Sequence, residues 1–122
     1  MNSQISKINA AKEALGFIEN GMTVGLGTGS TAKIFIDLLG EKLGDDFQII
    51  GMPTSIETEK QARDLGIELI GIGDKEILDI AIDGADEVSP EKNLIKGLGG
   101  ALLREKLVEK KAKKLIIIVD ES

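Results

Sequence analysis

The sequence predicts an α/β fold in which helices cover both faces of a doubly wound, mostly parallel, five-stranded sheet. Short aliphatic runs alternate along the chain with segments that have the apolar periodicity of helices. Most of these runs are nearly continuous, as in Leu115–Val119, which is typical of strands buried on both faces of a parallel sheet. The 122 residues suffice for a sizeable core, and we expect residues 1–122 to form a single domain.

The predicted elements follow the order of the chain. We predict helices over residues 3–19, 31–43, 55–65 and 100–113. We predict strands over residues 22–26, 47–52, 67–72, 77–82 and 115–119. Together they form a three-layer, Rossmann-like arrangement. An apolar stripe supports the first helix and comprises Ile5, Ile8, Leu15 and Ile18. We expect residues 88–97 to be irregular, with a small hairpin through Ser89 and Pro90.

Local signals set the ends of several elements. Gly21 and Gly66 follow the first and third helices and predict residues in the left-handed conformation. Ser55 opens a capping pattern at the start of the third helix. Pro53 is expected to stop the second strand, because it has no N–H to donate to a sheet.

The composition excludes several kinds of site. The chain has no Cys and no His, so the usual zinc ligands and the commonest general base are missing, and acid–base chemistry falls to carboxylates and Lys. A net charge of −6 and only 2% aromatic residues argue against a nucleic-acid interface. No apolar run is long enough to span a bilayer or to act as a secretory signal, and we expect a cytoplasmic location.

Acidic residues follow the apolar run of the fourth strand. Asp83, Asp86 and Glu87 come directly after residues 78–82. Ligands of open α/β sheets bind beyond the carboxyl ends of the strands, so we expect Asp83 and Asp86 at the mouth of a cleft. The alternative is a polar loop with an Asx turn at Asp83 and a solvated Glu87.

A glycine-rich segment joins the first strand to the second helix. Residues 25–31 read GLGTGST. Glycine lets the backbone approach a ligand, and the helix N-terminus offers unpaired N–H groups and a dipole that favours an anion. Ser30 and Thr31 add hydroxyl donors. The segment lacks the third Gly of a dinucleotide fingerprint and the Lys of a Walker A loop. We therefore expect a phosphate site, with a structural tight turn as the alternative.

Glu105 lies on the predicted apolar face of the last helix. On a helical wheel it falls among Ala101, Val108 and Ala112, which should pack on the sheet. Burial there would raise the pKa of Glu105, which is the condition that a carboxylate general base needs near neutral pH. The alternative is a glutamate at the helix edge, paired with a neighbouring cation.

The segment before this helix also has the composition of a ligand loop. Residues 96–100 read KGLGG. The glycines let backbone N–H groups converge on a ligand, and Lys96 can place a positive charge beside a developing oxyanion. The alternative is a flexible loop with a solvated lysine.

Taken together, these motifs resemble the signatures of ribose-5-phosphate isomerase type A. The matching segments are residues 27–31 (GTGST), 83–87 (DGADE) and 96–106 (KGLGGALLREK), in this order and at this spacing. The resemblance runs the length of the chain, although Leu98 stands where many members have Gly. Members of the family are longer and usually continue after DES (residues 120–122) with a substrate-binding Lys and the rest of the sheet. We therefore expect this chain to be a fragment.

The resemblance implies a role for each matching residue. Glu105 would be the catalytic base, Asp83 and Asp86 the active-site acids, and Lys96 the cation near the reacting oxygens. The implied substrate-binding set comprises Thr28, Gly29, Ser30, Thr31, Asp83, Gly84, Ala85, Asp86, Lys96, Gly97, Leu98 and Gly99, with Lys7 as a phosphate contact. The implied reaction interconverts ribose 5-phosphate and ribulose 5-phosphate through a cis-enediolate, and it needs no metal and no organic cofactor.

Two other classes of protein remain open. A non-catalytic sugar-phosphate-binding domain, or an inactive fragment, could use the same scaffold, since fold does not fix function. A dinucleotide-binding unit would need a third Gly and an acid after the second strand, where residues 51–53 read GMP. We expect a small sugar phosphate as the ligand, no nucleic-acid or membrane partner, and a homo-oligomer, because the aliphatic fifth strand lacks the elements that would cover it.

Overall fold

The computed structural model of the chain describes residues 3–85 and 101–119. The helices are α1 (Ser3–Leu15), α2 (Ser30–Lys42), α3 (Ile56–Asp64) and α4 (Ala101–Lys111). The strands are β1 (Thr23–Leu26), β2 (Ile50–Pro53), β3 (Glu68–Leu69), β4 (Ile80–Ala85) and β5 (Leu115–Val119). A short 3-10 helix, Ile72–Asp74, follows β3.

The strands form one sheet in the order β3-β2-β1-β4-β5, and each of its pairs is parallel. The central strand, β1, places Leu26 opposite Pro53 of β2 on one side and opposite Ile82 of β4 on the other. After β1 the chain builds outward through β2 and β3, and it then returns to the other side of β1 to form β4 and β5. This order confirms the predicted doubly wound, parallel sheet.

Helices cover both faces of the sheet. On one face lie α1, α2 and α3, and the largest buried side chain there is Phe35 of α2. On the other face lies α4, where Val108 packs with Met52 and Leu78 in a smaller cluster. The aliphatic strands are therefore sandwiched between two apolar layers, which confirms the predicted three-layer arrangement.

The first helix is shorter than predicted. It ends at Leu15, and residues 13–18 then turn through hydrogen bonds from each N–H to the carbonyl three residues earlier. Gly16 disfavours a continued helix, and such bonds tighten a last helical turn. The buried residues of this segment are Ala11, Ala14 and Ile18. Ile18 and Leu15 of the predicted stripe contact the core, and the small side chains of Ala11 and Ala14 add to this contact where α1 packs against α2.

The second and third strands also differ from the prediction. Residues 47–49 do not join β2, and Phe47 instead makes an isolated antiparallel bridge with Gly44. Pro53 was expected to stop the strand after Met52, but it is itself the last residue of β2. β3 covers only two residues because Gly71 N donates to Asp74 Oδ2 at 2.7 Å, and this contact starts the 3-10 helix that takes the chain off the sheet edge.

β4 is shifted toward the carboxyl end, from the predicted residues 77–82 to Ile80–Ala85. Its last residues pair with β5, with Asp83 opposite Ile117 and Gly84 opposite Ile118. Asp83 therefore lies inside the end of a strand, and both the predicted position after the strand and the alternative of an Asx-turn loop are wrong.

Other local predictions are confirmed. Gly21 and Gly66 have the predicted positive φ, 87° and 85°, although Gly21 does not cap α1, which ends at Leu15. Ser55 caps α3 by accepting a hydrogen bond from Thr58 N at 3.1 Å. The strand Leu115–Val119 has the predicted bounds. The expected hairpin through Ser89 and Pro90 lies outside the described residues. Across residues 3–85 and 101–119, none of the helices has the length and apolar character that crossing a membrane requires.

Candidate active site

The candidate site lies at the carboxyl ends of β1 and β4, the two neighbouring strands between which the order of the strands reverses. These strands are neighbours, and the chain leaves β1 toward one edge of the sheet and β4 toward the other. Connections that diverge in this way open a crevice above the strand ends, which is where doubly wound proteins bind ligands. The segment after β1, residues 27–31, is the glycine loop, and it contacts Asp83 of β4 at this place.

Asp83 is held against the glycine loop. Its Oδ1 accepts hydrogen bonds from Gly84 N at 2.8 Å and from Thr28 N at 3.4 Å. A Cβ atom on Gly27 would collide with Asp83 Oδ1 and would stand 2.7 Å from both the Asp83 Cα and the Ile82 carbonyl oxygen. Only glycine at position 27 permits this approach. The carboxyl group of Asp83 is thus fixed beside the loop, and the residue is only 9% exposed.

The N-terminus of α2 has the features of an anion site. Gly29 is its N-cap, with φ of 113°, and no side chain among the described residues caps the helix. The first N–H groups of a helix have no partner within the helix, so they are available to a ligand. Thr31 is only 1% exposed, and its Oγ1 has no hydrogen-bond partner among the described residues. Such an unsatisfied buried hydroxyl costs about 1–3 kcal/mol, which a bound acceptor or donor would recover.

Glu105 lies on the helix that covers the same crevice from the other face of the sheet. Val108 of α4 packs directly on Gly25 of β1, and the C-terminal end of α4 is fixed where Leu78 N donates to Lys111 O at 2.9 Å. Because Leu78 precedes β4, the N-terminal half of α4 points toward the carboxyl end of the sheet. Glu105 is one turn before Val108 on the same face of the helix. It is only 3% exposed, which confirms the predicted inward orientation.

α4 packs closely over the ends of β1 and β4, and the gap between them is too narrow to hold a water molecule. Residues of all three elements line this gap, and they include Gly25, Thr54, Asp83, Val108 and Glu109. The predicted base and one predicted acid therefore belong to elements that converge on one place.

Sequence reasoning missed three hydroxyl residues beside the glycine loop. Thr54, Ser55 and Thr58 lie at the end of β2 and the start of α3, and they hydrogen-bond with Thr28 and with the loop backbone. Ser55 was identified only as a helix cap. A signal was present, because residues 54–58 are rich in hydroxyl side chains and directly follow a strand whose neighbour carries the loop.

For the remaining predicted site residues, the structure gives a position in the fold but no contact to a ligand group, or the residue lies outside the described ranges. Ser30 is exposed in the first turn of α2, and Ala85 ends β4 opposite Val119. Lys7 is half-buried on α1, which packs against α2, and its contact with a phosphate stays a prediction. The predicted residues that lie outside the described ranges are Asp86, Lys96, Gly97, Leu98 and Gly99. The described part of the chain contains no group of three or more carboxylates that could hold a metal ion.

Comparisons with known proteins point in one direction. A family model described as ribose 5-phosphate isomerase A (phosphoriboisomerase A) matches residues 50–122. A curated ribose-5-phosphate isomerase A from Nitrobacter hamburgensis is 51% identical over 116 residues, which are 95% of this chain and 50% of that protein. The chain spans about half the length of the curated relatives it matches.

Solved structures agree. A D-ribose-5-phosphate isomerase in complex with phospho-erythronic acid superposes with a TM-score of 0.81 at 44% identity, over 98% of this chain and 55% of that one. A ribose 5-phosphate isomerase A from Methanocaldococcus jannaschii gives a TM-score of 0.81 at 37% identity, over 97% of this chain and 55% of that one. These are members of the family that the three sequence motifs resemble.

Proposed function

This chain belongs to the ribose 5-phosphate isomerase A family, and on that premise we propose that it catalyses the interconversion of ribose 5-phosphate and ribulose 5-phosphate. The observation that carries the proposal is the burial of the Glu105 carboxyl group on α4, the helix that covers the carboxyl ends of β1 and β4. Removing a carboxylate from water is costly. Because Glu105 lies beside the ligand crevice, a role in catalysis explains why a carboxylate is buried there despite that cost.

Glu105 is proposed as the base that moves a proton between two sugar carbons. It takes the proton from C2 of the open-chain aldose and returns it to C1 through a cis-enediolate, which leaves a ketose. Asp83 moves protons between the sugar oxygens O1 and O2, and Asp86 assists it. Lys96 and the amides of residues 97–99 stabilise the developing oxyanion. Every step uses carboxylates, an ammonium group and backbone amides, which suits a chain without His or Cys.

The glycine loop is proposed as the part that holds the substrate. Thr28, Gly29, Ser30 and Thr31 surround the uncapped N-terminus of α2, where the helix dipole and free N–H groups favour an anion. The buried Thr31 hydroxyl, which has no hydrogen-bond partner in the described part of the chain, supports a polar ligand there. One structural relative was solved with phospho-erythronic acid, which carries a phosphate and sugar-type hydroxyl groups, as the proposed substrate does. Lys7 is proposed as a further phosphate contact, and Gly84, Ala85 and the 96–99 segment as the other walls.

The domain organisation, pathway, location and assembly of the protein are proposed on the same basis. We place the whole chain, residues 1–122, in one catalytic domain and the protein in the pentose phosphate pathway of the cytoplasm. We propose a homo-oligomer, because Leu115 and Ile117 of β5 and Leu103 and Leu107 of α4 are large exposed apolar side chains. No metal, organic cofactor, nucleic acid or membrane is proposed as a partner.

The alternative is a domain that binds sugar phosphates without converting them. The two functions separate in an experiment on the purified chain with ribose 5-phosphate in heavy water, followed by NMR. An isomerase forms ribulose 5-phosphate and introduces deuterium at the carbon that accepts the proton. Saturable binding without product or exchange would favour the non-catalytic alternative.

The phosphate site is tested separately by a crystal structure with sulfate or substrate. We expect the anion within hydrogen-bond distance of the backbone N–H groups of Gly29, Ser30 and Thr31. An anion bound only elsewhere, with the glycine loop empty, would contradict the assignment.

A further inference from the structure

A hydroxyl cluster joins the glycine loop to the start of α3, and it consists of Thr28, Thr54, Ser55 and Thr58. Thr28 Oγ1 lies 2.8 Å from Thr54 Oγ1 and donates to Ser55 Oγ at 3.1 Å. Ser55 Oγ in turn donates to Thr58 Oγ1 at 3.1 Å and accepts from Thr58 N at 3.1 Å. The only glycine-loop member of the cluster is Thr28, and the other three belong to the neighbouring strand–helix junction.

The cluster also holds the backbone that leads into the loop. Thr54 Oγ1 donates to the Leu26 carbonyl oxygen at 2.7 Å, and Thr58 Oγ1 donates to the Gly27 carbonyl oxygen at 2.9 Å. Thr54 and Thr58 are 2% and 4% exposed, so water does not replace these bonds easily. Because two of the five residues in the glycine loop are glycines with a freely variable backbone, contacts from β2 and α3 help to fix the path of the loop.

The hydrogen atoms of the cluster are fewer than its contacts. Four hydroxyl groups supply four hydrogens, whereas five oxygen–oxygen contacts need one each. The hydrogen of Thr54 serves either Leu26 O or Thr28 Oγ1. The Leu26 carbonyl does not depend on it, since Thr54 N also donates to that oxygen at 3.1 Å.

The cluster therefore has two arrangements. In one, Thr54 donates to Leu26 O and Thr28 donates within the cluster. In the other, Thr54 donates to Thr28 Oγ1, and the hydrogen of Thr28 serves either Ser55 Oγ or, when a ligand is bound, a ligand oxygen. Ser55 Oγ keeps the Thr58 N–H in both arrangements, so no buried acceptor loses its last donor.

We propose that Thr54 is a positioning residue for the substrate, acting through Thr28. When a sugar phosphate occupies the glycine loop, the Thr54 hydroxyl turns onto Thr28 Oγ1 and orients the Thr28 hydrogen toward a ligand oxygen. The ligand class rests on the function proposed above, whereas the coupling between Thr54 and Thr28 rests on the geometry of the cluster alone. Thr54 itself does not touch the ligand.

The test is a double-mutant cycle on the binding of ribose 5-phosphate, measured by titration calorimetry. Thr54→Val keeps the side-chain shape and removes the hydroxyl, and it should weaken binding roughly tenfold, as expected for one hydrogen bond in support of a charged ligand. Thr54→Ser keeps the hydroxyl and should restore binding to within about twofold. In a Thr28→Val background, Thr54→Val should have no further effect on affinity, because its route to the ligand is gone.

Thr23→Val is the matched control. Thr23 is also a buried threonine of the sheet, 1% exposed, but it lies at the opposite end of β1. This change should leave affinity for ribose 5-phosphate unaltered. Chemical denaturation of all variants separates a loss of stability from a loss of binding, since a purely structural role for Thr54 would lower affinity equally in both backgrounds.

The outcomes distinguish this inference from the proposed function. Equal affinity of wild type and Thr54→Val, or equal weakening with and without Thr28, would overturn the inference even if wild type converts the substrate. Weakened binding that depends on Thr28 would support it even if no ribulose 5-phosphate forms. An absence of binding by wild type would overturn both.

Discussion

At each end of β1 an aspartate accepts a hydrogen bond from a backbone N–H group, but the surroundings of the two aspartates differ. At the amino end, Asp79 Oδ2 accepts from Thr23 N at 2.8 Å, and Asp79 N donates to Thr23 O at 3.1 Å. At the carboxyl end, Asp83 Oδ1 accepts from Thr28 N at 3.4 Å. In both places an aspartate of the β4 segment accepts from a backbone N–H of the β1 segment.

What surrounds each aspartate differs. Asp79 is half-buried, and the neighbouring Thr23 hydroxyl accepts from Lys75 Nζ at 3.0 Å, so a side chain of the chain itself fills the polar site. Asp83 is more deeply buried and contacts the glycine loop. Within the described residues, no side chain caps the α2 helix that follows this loop, and the Thr31 hydroxyl has no hydrogen-bond partner. At the amino end of β1, the polar groups therefore bond to one another. At the carboxyl end, some described polar groups have no partner, so they are available to bind a ligand.

The largest effect should come from removing the proposed base at the carboxyl end. Glu105→Gln keeps the shape of the side chain and cannot take a proton, so turnover of ribose 5-phosphate should fall by about 10²–10⁴-fold while affinity changes by less than about tenfold. Steady-state kinetics and calorimetry measure the two quantities. Glu41→Gln, at an exposed position near the C-terminal end of α2, is the control and should keep turnover. Near-normal turnover of Glu105→Gln would remove this residue from the mechanism.

The same substitution at the two aspartates tests the comparison itself. Asn retains an oxygen that accepts the backbone N–H bonds but loses the charge. Asp83→Asn should lower turnover by about 10²-fold, at the low end of the range for a group that transfers protons. Asp79→Asn should leave turnover unchanged and cost at most about 1 kcal/mol of unfolding free energy. Equal loss of turnover in both variants would show that the two ends do not differ in function.

The comparison extends to the two faces of β5. Ile116 and Ile118 pack against the main core, whereas Leu115 and Ile117 on the other face are 43% and 44% exposed. If the exposed face joins copies of this chain, the double change Leu115→Ser and Ile117→Ser should weaken self-association by about tenfold or more, given the apolar area lost. Sedimentation at micromolar concentrations measures this. A monomeric wild-type chain would contradict the proposed oligomer.

The smallest effects should come from two buried threonines. Thr31→Val removes a hydroxyl without a partner among the described residues, so it should raise the unfolding free energy by up to about 1 kcal/mol and weaken ribose 5-phosphate binding about fivefold. Thr23→Val removes a hydroxyl that is bonded to Lys75, so it should lower stability by about 1 kcal/mol without changing affinity. Denaturant titration and calorimetry measure both quantities. If both substitutions raised the unfolding free energy, or both lowered it, the predicted difference between the two threonines would be wrong.

The amino-acid sequence by itself determined the class of fold and the residues with chemical potential. Its aliphatic runs are shielded from water on both sides only when they lie between two apolar layers. The bounds of β5 and the cap at Ser55 follow from local composition. The inward position of Glu105 also follows from sequence, because helical periodicity places it on the same face as Val108. Such features depend on neighbours three or four residues away, which a single sequence contains.

Only the tertiary structure decided where β4 ends and what surrounds the glycine loop. Pairing with β5 extends β4 past Asp83, and the partner residues are more than 30 positions further along the chain. The hydroxyl cluster brings Thr28 to Thr54 and Ser55, which are 26 and 27 positions away, because β1 and β2 are adjacent in the sheet. No local pattern encodes such contacts, since they arise from the order of the strands and from the closure of the apolar core around them.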